Sequence, residues 1–125
     1  MSKNKKGTKP NRHIVELLKN IKTPIRDKIH NLDLFFRLKA HGNETGIEHA
    51  AKSYHGLHPS DIEALVNGIN DPLLYKKDKR FKNVYNYYLR RKYDKNNAIK
   101  ISILIDKNDI HRAEILTIFI TSRIH

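Results

Sequence analysis

The chain has 125 residues, with 25 Lys and Arg, 13 Asp and Glu, no Cys and a formal net charge of +12. This length is enough to bury one hydrophobic core without disulfides, and the lack of cysteine excludes thiol catalysis and zinc sites with thiolate ligands. No apolar run approaches the roughly 18 residues of a membrane span, and the basic, polar start MSKNKKGTKP is unlike a secretory signal peptide.

The positive charge is concentrated in two blocks. Residues 1–40 carry 11 basic side chains against three acidic ones, and residues 76–95 carry nine against two. Such clustering is typical of a surface that binds a polyanion, most simply RNA or DNA. The alternative is a solvated basic surface with no nucleic-acid partner.

The first residues are predicted to form a tail and a short helix. Residues 1–10 have no periodic apolar positions, and we expect a disordered basic tail there. Asn11 is a suitable N-cap for the helix that follows. The apolar positions of this helix recur at helical spacing and are Ile14, Leu17, Leu18 and Ile21.

A second helix is predicted between Thr23 and His41. The Thr23-Pro24 pair is typical of a helix start, and Gly42 would end the helix. Its apolar stripe consists of Ile25, Ile29, Leu32 and Phe36. We therefore expect residues 11–41 to form a helical hairpin appended to a core domain at residues 42–125.

Two further helices are predicted from capping boxes, in which two side chains three residues apart satisfy free backbone amides. Thr45 and Glu48 begin one helix, and Gly56 suits the left-handed position at its end. Ser60 and Glu63 begin the other. Their apolar stripes are Ile47, Ala50, Ala51 and Tyr54 in the first, and Ile62, Leu65, Val66 and Ile69 in the second.

After Pro72 the apolar period changes from helical to alternating. A basic linker at residues 73–83 leads into predicted strands at residues 84–93, 98–106 and 113–124. The predicted fold class is α+β: N-terminal helices followed by an antiparallel β-meander of at least three strands, with the helices packed on one face of the sheet.

The predicted strands each have a polar face. A strand of this kind covers a core with one side and presents the other to water or to a ligand. Cations on such a face can stabilise charge that develops on a phosphate, and hydroxyls can donate to phosphate oxygens. The polar faces carry Arg90, Lys100, Ser102, Thr117, Thr121 and Arg123, with Phe119 among them as a stacking platform.

Four histidines, His41, His49, His55 and His58, fall around one short predicted helix. A metal site is disfavoured, because no carboxylate or thiolate completes a known ligand spacing, and we expect no cofactor. Acid–base chemistry fits better, since imidazole titrates near neutrality and can take a proton from a ribose 2′-hydroxyl. His49 lies opposite the apolar stripe and is the first candidate; the alternative is an ordinary exposed histidine.

Aromatic and basic side chains also alternate in the second basic block. Such a mixture stacks unpaired bases and follows their backbone, whereas ordinary strand packing is the alternative for any one tyrosine. The predicted RNA-binding residues are Lys76, Lys77, Lys79, Arg80, Lys82, Tyr88, Arg91 and Lys92. The sequence contains no phosphate-binding glycine loop, no GxSxG motif and no close acidic cluster. The classes of enzyme that depend on these motifs are therefore disfavoured.

The motifs follow a recognisable order: the capped helix GIEHAAKSYHG, a second capped helix ending in NDP, a basic tyrosine-rich strand, an apolar strand and a final AEILTIFITSR. This order resembles the barnase-EndoU-colicin-RelE (BECR) group of small ribonuclease domains, in particular its phage- and polymorphic-toxin-associated members. The resemblance covers roughly residues 42–123. It implies metal-independent RNA cleavage, commonly of tRNA, that leaves a 2′,3′-cyclic phosphate.

The resemblance also implies roles for individual residues. By position, the helix histidine is His49 and the sheet cation is Arg90 or Lys100. The last strand would supply the hydroxyl of Thr117, with Thr121 and Arg123 nearby. A second helix histidine, expected five residues after the first, stands six residues after it at His55, where ending the helix beside Gly56 is the alternative role.

The sequence therefore predicts a small, toxin-like endoribonuclease in which His49 is a general acid or base. The resemblance implies that it acts in the cytoplasm of the producing or target bacterial cell. It also implies a neutralising partner, an acidic immunity or antitoxin protein. The alternatives are a noncatalytic nucleic-acid-binding or regulatory protein and a protein-interaction adaptor.

Overall fold

The computed structural model describes residues 9–40 and 42–122. Within these residues the helices are α1 Arg12–Lys19, α2 Gly46–Ala50 and α3 Pro59–Gly68, and a 3₁₀ turn spans Ser53–His55. The strands are β1 Ile25–Asp27, β2 Leu32–Phe36, β3 Leu74–Lys77, β4 Val84–Arg90, β5 Ala98–Asp106 and β6 Asp109–Thr121. No helix in this part of the chain is long and apolar enough to cross a membrane.

The six strands form one sheet in the order β1-β2-β6-β5-β4-β3. Strands β4, β5 and β6 are antiparallel neighbours, as the alternating pattern predicts. The sheet is mixed, however, because β2 pairs with β6 in parallel. The predicted α+β class, with helices packed on the sheet, is confirmed.

The helices cover one face of the sheet and bury a single apolar cluster against it. Ile14 and Leu18 of α1 and Leu65 of α3 meet Ile101 and Ile118 of the sheet, and each is at most 2% exposed. Burying a side chain of this size contributes about 1.5–3 kcal/mol. The opposite side of the sheet, called the outer face below, carries the other half of each strand's side chains.

The predicted second helix is wrong, because residues 25–27 and 32–36 are strands. Asn31 has a φ of 57° and turns the chain between them, a conformation that Asn tolerates better than most residues. The apolar spacing fits a helix, but Leu32 and Leu34 also alternate, and pairing with β6 decides between the two periods. The predicted helical hairpin is therefore absent.

Two of the four predicted helix starts are confirmed. Asn11 caps α1 by accepting from His13 N and Ile14 N, and Thr45 and Glu48 form the predicted capping box. Helix α3 instead begins with His58 as N-cap, whose amide donates to Asp61. The prediction of Ser60 as N-cap is wrong because Pro59 already has helical geometry, which its ring favours.

Several boundaries also differ from the prediction. The basic linker contains β3, and β6 begins at Asp109 rather than at Ala113. Tyr54 and Val66 are exposed instead of lying in the core. Residues 1–8 of the predicted tail, His41 and Arg123 lie outside the described residues, while Pro10 forms a β-bridge with Lys52 instead of belonging to a disordered tail.

Substitution of the buried Leu34 tests whether β2 belongs to the core. Leu34 is fully buried, whereas Leu38, four residues further on, is 87% exposed. We expect Leu34→Ala to lower the free energy of unfolding by about 2–5 kcal/mol through lost burial and the cavity left behind. Leu38→Ala should change it little. Urea unfolding of both variants measures this, and equal stabilities would contradict the placement of β2.

Candidate active site

The register of β4, β5 and β6 arranges the polar candidates in three rows on the outer face. The central row is Tyr88, Lys100 and Phe119. One flanking row is Asn86, Ser102 and Thr117, and the other is Arg90, Ala98 and Thr121. The predicted sheet residues that the structure describes are therefore near neighbours.

Lys100 lies between two aromatic rings in the central row. Its Nζ is 5.8 Å from the ring centre of Tyr88 and 5.6 Å from that of Phe119. Within residues 9–40 and 42–122 no hydrogen bond or ion pair engages the ammonium, although Asp78 is an electrostatic neighbour. A half-buried cation that has no ion pair among the described residues is suited to bind a phosphate.

His55 joins the helical layer to the edge of the sheet. It is 5% exposed, and its Nδ1 lies 2.7 Å from the carbonyl oxygen of Ile118. That edge of β6 is available because β2 pairs with β6 only as far as Ile115. A carbonyl only accepts hydrogen bonds, so Nδ1 carries the proton and Nε2 is the basic atom of the neutral ring.

The environment of His55 favours the neutral form. Burial lowers the pKa of His55, and the positive charges of His49 and Lys52 add to this effect, although the carbonyl hydrogen bond opposes it. In the described part of the chain, Nε2 has no hydrogen-bond partner. A buried, unprotonated ring nitrogen of this kind can accept a proton from a substrate hydroxyl.

His49 is adjacent to His55. The two ring centres are 4.9 Å apart and the rings are nearly perpendicular. His49 Nδ1 lies 3.1 Å from Glu44 Oε1, while Glu44 Oε2 lies 2.9 Å from Lys52 Nζ. Glu44 and Lys52 are not among the predicted site residues. A carboxylate just before a helix cap has no sequence spacing that would link Glu44 to a catalytic site.

Phe119 connects the imidazole pair, His49 and His55, to the lysine. Its ring centre is 6.2 Å from that of His55, and Lys100 approaches the same ring. Thr117 and Thr121 are half-buried on the same strand. The structure thus brings together His49, His55 and Lys100, together with the two threonines and Phe119.

Ser102 has a different role from the predicted one. Its hydroxyl is buried and donates to Asn86 Oδ1 at 2.6 Å, and Asn86 in turn donates to Asp78. The hydrogen bond from Asn86, with backbone amides of Arg80 and Phe81, lowers the pKa of Asp78 to about 2. The hydroxyl proton of Ser102 is used in the hydrogen bond to Asn86. Ser102 therefore stabilises its row of side chains and is not available to donate to a phosphate.

The two neighbouring arginines have different surroundings. Arg91 binds Asp61 through two hydrogen bonds of 2.9 and 2.8 Å and also contacts Asp94, so its guanidinium is occupied. Arg90 is exposed and donates to Asp71. This corrects the expectation that Arg91 binds RNA, and it places Arg90 beside the central row rather than within it.

Arg90 and the exposed basic residues flank the site. Arg90 lines a cavity of about 290 Å³ with Leu73, Lys95 and Asn97 among its other walls.

The turn between β3 and β4 exposes most of the predicted RNA-binding lysines, whereas Lys92 lies 3.9 Å from Glu63. Tyr88 is only 3% exposed and cannot offer its ring to a base. The exposed basic residues here are Lys77 at the end of β3 and Lys79, Arg80 and Lys82 in the turn, and Lys76 of β3 is half-buried.

His58 does not join the imidazole pair. It lies at the start of α3, beside a cavity of about 450 Å³ that Pro59, Asp61 and Arg91 also line. Among the described residues, no group of three or more His, Asp or Glu side chains is placed to hold a metal ion.

Substitution of the two arginines should separate their roles. Arg91→Ala leaves the 1%-exposed carboxylate of Asp61 without its cation, and we expect the free energy of unfolding to fall by about 3 kcal/mol. Arg90→Ala removes only an exposed contact and should have little effect. Chemical denaturation of both variants tests this, and a stable Arg91→Ala protein would show that the guanidinium is not structural.

The buried His55 should make stability depend on pH. Its pKa is below the ordinary value of 6.5, so the unfolded chain binds the proton more readily, and the contribution of His55 is complete above pH 6.5 and is lost as the pH falls. His55→Asn keeps a donor for Ile118. We expect the stability difference between parent and variant to shrink below pH 6.5. Urea titrations at several pH values measure this difference, and a constant difference for His55→Asn would contradict the assignment.

Comparison of the chain with protein-family models, curated proteins and solved structures finds no match. The resemblance to BECR ribonucleases accordingly stays a prediction.

Proposed function

We propose that the protein is a metal-independent endoribonuclease. The observation that carries this proposal is the grouping of the imidazole pair and Lys100 around Phe119, with Phe119 ring contacts of 6.2 Å to His55 and 5.6 Å to Lys100. Two imidazoles and a cation are the groups that RNA cleavage needs when no metal takes part.

The proposed reaction is attack of a ribose 2′-hydroxyl on the adjacent phosphorus. His55 Nε2 takes the hydroxyl proton as the new bond from the 2′-oxygen to phosphorus forms. His49 donates a proton to the 5′-oxygen as its bond to phosphorus breaks. The products are a 2′,3′-cyclic phosphate and a free 5′-hydroxyl.

The environments of the two histidines support this division of roles. Burial lowers the pKa of His55 and favours its neutral form, whereas His49 is hydrogen-bonded to the carboxylate of Glu44, which favours an imidazolium. Pairs of groups whose surroundings favour opposite protonation states are typical of acid–base catalysis.

The remaining groups would bind the phosphate and the RNA. Lys100 stabilises the charge that develops on phosphorus-bound oxygens, and Thr117 and Thr121 position the phosphate. Arg90 and the basic turn between β3 and β4 hold flanking nucleotides. A structured RNA such as tRNA is the favoured substrate, with cytoplasmic action and an acidic immunity or antitoxin protein as the corresponding toxin-like setting.

A noncatalytic nucleic-acid-binding protein is the second candidate function. The observation that favours it is the exposed basic turn, where Lys77, Lys79 and Lys82 have no ion pair among the described residues. Such a surface binds a polyanion with strong salt dependence. An RNA gel shift that weakens with salt but yields no fragments would favour this function over the nuclease, and a partner that binds independently of salt would favour an adaptor.

The nuclease proposal is tested by incubating purified protein with total tRNA in the presence of EDTA. We expect fragments with cyclic-phosphate ends. His49→Ala should slow cleavage about 10²–10⁴-fold through loss of a proton donor, and Lys100→Ala about 10²–10³-fold through loss of charge stabilisation.

The matched controls for this assay are His111→Ala and Lys107→Ala. Both residues are exposed and lie at the opposite end of the β5–β6 hairpin from the imidazole pair, so cleavage should be unchanged. If His49→Ala and Lys100→Ala both cleaved as fast as the parent protein, the proposed mechanism would be wrong.

A further inference from the structure

We infer that Glu44 is a positioning residue, whose carboxylate holds His49 by its Nδ1 atom and thereby presents the opposite ring nitrogen, Nε2, for proton transfer to RNA. This inference rests on the proposed ribonuclease function. It adds two residues to the proposed site, Glu44 and Lys52, whose ammonium contacts the same carboxylate.

Each oxygen of the Glu44 carboxylate has its own basic neighbour. Oε1 is 3.1 Å from His49 Nδ1, and Oε2 is 2.9 Å from Lys52 Nζ. The three side chains are between 13 and 19% exposed, so water competes little for these contacts. A histidine held in this way by a carboxylate has one ring nitrogen fixed as a donor and the other directed to the reaction.

The backbone around Glu44 is fixed on both sides of α2. The carbonyl of Glu44 accepts from Ala40 N at 2.8 Å, and the next residue, Thr45, caps α2. Gly46 follows at a close approach, since a Cβ there would lie 2.6 Å from Arg37 O. Beyond the helix, Lys52 bridges to Pro10. The carboxylate and the imidazole are therefore presented by one rigid unit.

The charges around His49 oppose one another. Burial acts to raise the pKa of Glu44, but hydrogen bonds and charge from Lys52 and His49 lower it, so the carboxylate is ionised at neutral pH. This negative charge stabilises an imidazolium at His49, while Lys52 and a protonated His55 destabilise it. Glu44 thus favours the charged, proton-donating form, and Lys52 limits that preference.

An alternative role for Glu44 is a purely structural ion pair with Lys52. That role predicts a loss of stability without any change in the titration of His49. The positioning role predicts that the titration and the maximal rate change together while RNA binding does not. The two roles therefore differ in measurable quantities.

The experiment compares Glu44→Gln with the control Glu48→Gln in the full-length protein. Glu48 caps α2, and its carboxylate contacts Thr45 N and Arg12. NMR of the imidazole C2 proton gives the pKa of His49, and single-turnover cleavage of total tRNA in EDTA gives the maximal rate and the protein concentration at half of that rate. For Glu44→Gln we expect the pKa of His49 to fall by about one unit and the maximal rate to fall about 10–100-fold, with the half-saturating concentration changed less than twofold. Glu48→Gln should match the parent in all three quantities.

A second variant allows the inference to be tested even if the Glu44→Gln protein does not fold. Lys52→Met removes the positive charge, so the pKa of His49 should rise. An unchanged His49 titration in both variants, or an unchanged maximal rate in a folded Glu44→Gln protein, would overturn the inference. If the parent protein does not cleave RNA, the proposed function fails, whereas the titrations still decide whether Glu44 controls His49.

Discussion

The hydrogen bond between His55 and the carbonyl of Ile118 connects the helical layer to the sheet at the candidate site. It forms at 2.7 Å with a ring that is 5% exposed, and an unpaired carbonyl in that position would be costly. It can form because β2 ends its pairing with β6 at Ile115. The free edge of a strand is usually a liability; here the 3₁₀ turn covers it and brings an imidazole to the outer face.

Several acidic residues of this basic protein have structural roles inside the fold. Asp27 is fully buried and accepts from the Tyr87 hydroxyl at 2.6 Å and from His30 Nδ1 at 2.8 Å. Asp61 holds Arg91, and Asp78 holds the turn between β3 and β4. These three carboxylates therefore have donors within the fold.

The sequence predicts what depends on local chemistry. Asn11 and the Thr45–Glu48 box cap their helices as predicted, and strand β5 has the predicted bounds. Strand β2 is missed because its parallel partner lies about 80 residues away in β6, and no local pattern encodes that pairing; in the described part of the chain β1 is paired only with β2. Strand β3 is missed because its basic residues resemble a linker.

The site is predictable only in part, for the same reason. Side-chain type and alternation single out His49, Lys100 and Thr117, since each lies off an apolar stripe. The difference between Arg90 and Arg91 is set by which acid lies within reach, Asp71 or Asp61. Such tertiary partners cannot be read from two adjacent arginines in a sequence.

The two histidines show why environment, rather than residue type, divides their proposed roles. His55 is surrounded by Ile118, Tyr54 and Phe119, and its only hydrogen-bond partner in the described chain is a neutral carbonyl. His49 has a carboxylate at 3.1 Å. Because their rings are 4.9 Å apart, a proton on either one disfavours a proton on the other. In the proposed mechanism, the carboxylate of Glu44 favours a proton on His49, and burial disfavours one on His55. The proposed acid–base asymmetry would thus arise from one carboxylate and one buried strand edge, both of which belong to the fold.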